Sequence, residues 1–185
     1  GDVQVQLGDT PAALRAYQQS SEILKKLAEA DPANTEAQRD LSVSYEKLGS
    51  IQLQLGDTQA ALSAYQQDLE VAKRLAAADP ANTQAQRDLS ISYNKLGDVQ
   101  MQLGDTQAAV RAYQQGLDIR QRLAAADPAN TQAQRDLSIS YNKLGDVQVQ
   151  LGDTPAALRA YQQSLEIRQR LAAADPANTQ AQRDL

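Results

Sequence analysis

The tetrapeptide Leu-Gly-Asp-Thr begins at Leu7, Leu55, Leu103 and Leu151, so the chain returns to the same sequence every 48 residues. A fixed period of this size marks a repeat architecture, in which each copy is one supersecondary unit that buries its apolar face only against its neighbours. Residues 83–130 and 131–178 differ at five positions: Met101/Val149, Gln107/Pro155, Val110/Leu158, Gly116/Ser164 and Asp118/Glu166. The earliest copy departs most. Ser21 stands there where later copies carry Leu69, Leu117 and Leu165, as expected of a terminal unit whose outer face meets water. The units run approximately over residues 1–34 (partial), 35–82, 83–130 and 131–178, with 179–185 opening a further one. All of 1–185 is expected to form a single elongated repeat domain without linkers.

Each unit holds two helical patterns, which the third copy illustrates. Ala85, Leu89, Ser92, Leu96, Val99 and Leu103 recur at spacings of three and four, the stripe of an amphipathic helix. Asn82 is placed to cap it, and Gly104 to end it, because the residue just past a helix often needs positive φ. Asp105 or Thr106 then caps a second helix carrying Ala109, Tyr113, Leu117, Ile119 and Leu123, which Asp127-Pro128 stops. Pro11 and Pro155 suit the first helical position, which makes Thr10 and Thr154 the expected caps of their helices. Glu22/Lys26, Glu70/Arg74, Asp118/Arg122 and Glu166/Arg170 are i,i+4 pairs, each adding about 0.2–0.5 kcal/mol of local support. The result is all-α: an α-solenoid of about four antiparallel hairpins with helices of about 20 residues.

Composition narrows the chemistry. The chain has no His and no Cys, so it offers no imidazole base, thiol nucleophile, zinc finger or disulfide. Neither catalysis nor a cofactor or metal site is expected. Asp98 and Asp146 lack the closely spaced oxygens of a calcium loop, and Gly104-Asp105-Thr106 lacks the further glycines and Lys of a phosphate loop. A net charge of -5 argues against nucleic acid as a partner. The longest apolar stretches are too short to span a bilayer, so no membrane partner is expected, and a cytoplasmic location is favoured. The basic cluster Arg120, Arg122, Arg168 and Arg170 is read as cations near helix C-termini, where the dipole favours them. The tyrosines are read as packed between helices with their hydroxyls bonded near the surface.

Tyr141, Leu144, Gly145, Ala157 and Tyr161, with their counterparts Tyr93, Leu96, Gly97, Ala109, Tyr113 and Tyr45, Leu48, Gly49, Ala61, Tyr65, resemble the tetratricopeptide repeat signature. All seven tyrosines fall on these two aromatic positions. The resemblance is to a long-helix variant. The family's usual repeat is 34 residues, and the extra 14 correspond to about two added turns on each helix. Gln100 and Gln148 stand where a second aromatic is common, and Asp68, Gly116 and Ser164 where Ala is usual. The resemblance implies a right-handed superhelix and a non-enzymatic protein-interaction scaffold, with a protein or peptide held in a concave groove lined by the first helices.

On those helices, steps of three or four select Gln84, Arg87, Ile91, Asn94, Asp98 and Met101, and equivalently Gln132, Arg135, Ile139, Asn142, Asp146 and Val149. Asn94 and Asn142 are candidates to bond a ligand's backbone, and Arg87 and Arg135 to meet its carboxylates. The competing reading gives these residues no ligand and only solvated charge networks. Glu46 and Ser50 replace Asn and Asp in the second copy, so any ladder is uneven. A second function class follows from the ends. Gly1 corresponds to Gly97 and Leu185 to Leu89, which suggests complementary, uncapped ends that stack head to tail into a filament or column; the competing reading is a piece of a longer array cut at arbitrary points.

Overall fold

The structure, a computed structural model, describes residues 10–175. The two chain ends and the unit expected to open at 179 lie outside the described residues. Seven helices occupy the described part: α1 (Thr10–Ala30), α2 (Thr35–Gln54), α3 (Thr58–Ala78), α4 (Thr83–Gln102), α5 (Thr106–Ala126), α6 (Thr131–Gln150) and α7 (Thr154–Ala174). The first helix of a repeat has 20 residues and the second 21. Among the described residues there is no strand, and no helix is long and apolar enough to cross a membrane.

The helix ends follow from a few residues repeated in every turn. Gly56, Gly104 and Gly152 take φ of 80°, 79° and 77°, a conformation that costs a side chain sterically. At Gly56 this folds the chain back so that its N–H reaches the Leu53 carbonyl and the Asp57 N–H reaches that of Gln52, the Schellman closure that occupies last-turn carbonyls. Asp57, Asp105 and Asp153 then cap the next helices by accepting from Ala60, Ala108 and Ala156 N–H. The cap of α7 is therefore Asp153 and not Thr154, because Thr154 already has helical geometry and the carboxylate one residue earlier faces the free N–H groups. At the other turn, Asn34, Asn82 and Asn130 cap α2, α4 and α6.

The described residues divide into two compact units, the first ending at Leu103 and the second beginning at Gly104. In the first, α1 packs on α2, α2 on α3 and α3 on α4; in the second, α5 packs on α6 and α6 on α7. This helix-on-helix stacking is that of an all-α helical-repeat solenoid. The first unit buries two apolar clusters, one of Ala28, Leu41, Tyr45 and Val71, the other of Ala13, Tyr17 and Ile51. The Leu-Gly pair has a steric purpose. A Cβ on Gly49 would stand 2.8 Å from the Tyr65 ring, and one on Gly145 2.6 Å from that of Tyr161, so glycine lets the second-helix tyrosine lie on the first-helix backbone.

A glutamine ties each described repeat junction. Gln38, Gln86 and Gln134 donate to the carbonyls of Ala28, Ala76 and Ala124 at 3.0, 3.1 and 3.1 Å, occupying acceptors near the end of the preceding helix. The expected Glu70/Arg74 pair is replaced: Lys73 donates to Glu70 at 3.0 Å, while Arg74 crosses to Gln38 at 3.1 Å. Arg74 thereby extends the glutamine tie instead of serving its own helix.

Candidate functional site

The two predicted sets of groove residues lie on α4, in the first unit, and on α6, in the second. On α4, Gln84 is exposed and donates to Asp88 at 2.6 Å, and Arg87, Ile91, Asp98 and Met101 are half-buried. Asn94 is only 5% exposed. On α6, Gln132 donates to Asp136 at 2.7 Å, Arg135 and Asn142 are half-buried, and Ile139, Asp146 and Val149 are exposed. Asp146 accepts from the Tyr161 hydroxyl at 2.7 Å, and this bond, ahead of burial, raises the phenol's pKa. In the second copy Ser50 takes the same position, 3.2 Å from the Tyr65 hydroxyl. The carboxylate of the predicted stripe thus fixes a tyrosine of its own hairpin.

Within the first unit, two ion pairs join the successive first helices α2 and α4. Arg39 Nε lies 3.2 Å from Asp88 Oδ2, and Lys95 Nζ lies 3.5 Å from Glu46 Oε1. Glu46, which replaces the asparagine of later copies, is therefore the anionic half of an inter-repeat pair. Arg39 is exposed and the other three partners are half-buried, still open to water, so each pair is worth about 0–1 kcal/mol. Beside them is a cleft of about 80 Å³ whose lining includes Ser42, Val43, Asp68, Ile91 and Ser92. Asp68, on α3, is buried against it, accepts from Ser42 and has within reach the Ser92 hydroxyl, which also donates to the Asp88 carbonyl at 3.2 Å. Loss of water pushes its carboxyl from 3.8 up to about 6, with Glu46 and Asp88 adding to the rise and the two serine bonds opposing it.

In the second unit, the corresponding seam holds Arg120, 6% exposed. Its Nη1 donates to the Asp136 carbonyl at 2.8 Å and to Ser140 Oγ at 2.9 Å. The reading of Arg120 as a cation placed for the dipole of its own helix is thus corrected: it points across to α6, where backbone and hydroxyl oxygens replace water. The recurring serines Ser42, Ser90 and Ser92 in the first unit and Ser138 and Ser140 in the second are likewise all buried. Their repetition at apolar-stripe positions was the available signal for a polar seam. Among the described residues no group of three or more carboxylates could hold a metal ion.

Three segments, 44–77, 91–122 and 138–177, each match the tetratricopeptide repeat, and together they span more than half of the chain. The chain belongs to the tetratricopeptide repeat family. Repeats of this family generally serve protein–protein interaction and are generally non-enzymatic. No curated protein matches this tetratricopeptide repeat chain. The crystal structure of BtubC (BKLC) from P. vanneervenii is 22% identical over 88% of this chain and 58% of that one, with a TM-score of 0.65, a likeness of fold alone. The present chain therefore spans a little over half the length of BtubC. A crystal structure of MamA is also 22% identical, over 93% of this chain and 96% of that one, with a TM-score of 0.46.

Proposed function

We propose that this tetratricopeptide repeat protein is a non-enzymatic scaffold that receives an extended peptide or protein segment on the faces of its first helices. One observation carries the reading. Val43 on α2 and Ile139 on α6 occupy the same repeat position and remain 46% and 39% exposed, apolar surface kept out of the core at matching places. Around Ile139, the half-buried Asn142 offers both a donor and an acceptor to a peptide backbone. Asn94 is the weaker candidate because it is buried, so Asn142 is the position to test. A peptide selected from a random displayed library against the wild-type protein should bind Asn142→Ala about tenfold more weakly, the equivalent of about 1.4 kcal/mol. Helix content by circular dichroism should not change. Undiminished affinity would remove Asn142 from the site.

A further inference from the structure

Asp68 is 3% exposed where α3 packs between α2 and α4. Hydroxyls reach it from both neighbours, Ser42 on α2 and Ser92 on α4. The charged groups that line its cleft are Arg39 and Glu46 from α2 and Asp88 from α4. The cations there are drawn to other carboxylates: Arg39 to Asp88, and Lys95 to Glu46. A carboxylate in this position has given up water and faces two like charges, which favours its neutral form, and the serine hydroxyls offset this only in part. The later copies carry Gly116 and Ser164 at the corresponding place, and Ser164 satisfies itself by donating to the Ser138 carbonyl at 2.9 Å. The charge is thus special to the second copy.

We propose that Asp68 makes the packing of α3 between α2 and α4 a proton-responsive joint, tightened when its carboxyl takes up one proton in mildly acidic solution and loosened when it loses that proton near neutrality. Once neutral, the carboxyl donates one bond and accepts another between the two serine hydroxyls, with no desolvated charge left. The direction follows from linkage. The carboxyl sits near 6 in the folded chain and near 3.8 when unfolded, so the folded state holds the extra proton between those values. Its contribution is full below the lower value and is lost as pH rises through the upper one. The joint also spaces Val43 on α2 from Ile91 on α4, which share the cleft. That consequence for ligand binding rests on the groove reading above, whereas the joint does not.

Amide hydrogen exchange on the intact chain tests this without any ligand. Between about pH 7.5 and about pH 5, the joint amides of α3 and α4 should gain about tenfold in protection after correction for intrinsic exchange rates. In Asp68→Asn and Asp68→Ser that gain should vanish, the serine variant copying the arrangement that the fourth copy already tolerates. Helices α6 and α7, which have no carboxylate at this position, should show no such gain in any of the three proteins. An equal gain in Asp68→Ser and wild type would overturn the proposal. So would an equal gain in α6 and α7, which would assign the effect to carboxylates common to all repeats.

Discussion

Tyr65→Ala should destabilise the protein by about 3–5 kcal/mol, the range for truncating a fully buried aromatic. Tyr65 is 2% exposed, its ring rests on the Gly49 backbone and its hydroxyl meets Ser50 at 3.2 Å. Truncation therefore opens a cavity against a helix backbone that cannot collapse into it. Tyr65→Phe keeps the ring and removes one hydrogen bond, so its cost should be about 1 kcal/mol. The equivalent Tyr161 is half-buried, and Tyr161→Ala should cost less than Tyr65→Ala. Urea unfolding of the three variants checks the ranking, and a small loss for Tyr65→Ala would mean that the core is placed wrongly.

The second large effect concerns Arg120. Arg120→Met should cost about 2–4 kcal/mol, because the methionine fills part of the volume but leaves the Ser140 hydroxyl without its charged donor in a buried seam. The guanidinium cannot be replaced by water without opening the contact between α5 and α6. Arg122, exposed one turn-face away, provides the comparison. Arg122→Met should change stability by no more than about 0.5 kcal/mol, as surface substitutions usually do. Thermal unfolding of both variants measures the difference, and equal midpoints would return Arg120 to the role of a surface cation.

The periodicity made the helices legible. The 48-residue step, the glycines at 56, 104 and 152 and the Asp-Pro turns place every described helix, because each of those residues has a backbone conformation or missing donor that forces the break. Aromatic placement was legible too, since Tyr65 and Tyr161 do lie on the glycines of the Leu-Gly pairs. The polar seam was harder to read. A serine on an apolar stripe looks like a tolerated small residue, and whether Arg120 points to water or to α6 depends on a neighbour that is not adjacent in sequence. Helical periodicity selects a face but not its occupancy. It groups Asn94 with Asn142 as equivalents, yet the first is buried and the second half-buried. Asp68 was visible as a departure from its repeats, but the hydroxyls that receive it come from positions 26 residues before and 24 after it.

Whether the first helices hold the ligand, as proposed, is decided by a hydrogen-exchange footprint of a bound, library-selected peptide. Protection should appear on first helices, in the turn that carries Val43 in the one unit or Ile139 in the other, and should be absent from the exposed segments of α3 and α7 around Gln66 and Gln162. Protection confined to those second-helix segments, with α2 and α6 unchanged, would contradict the claim.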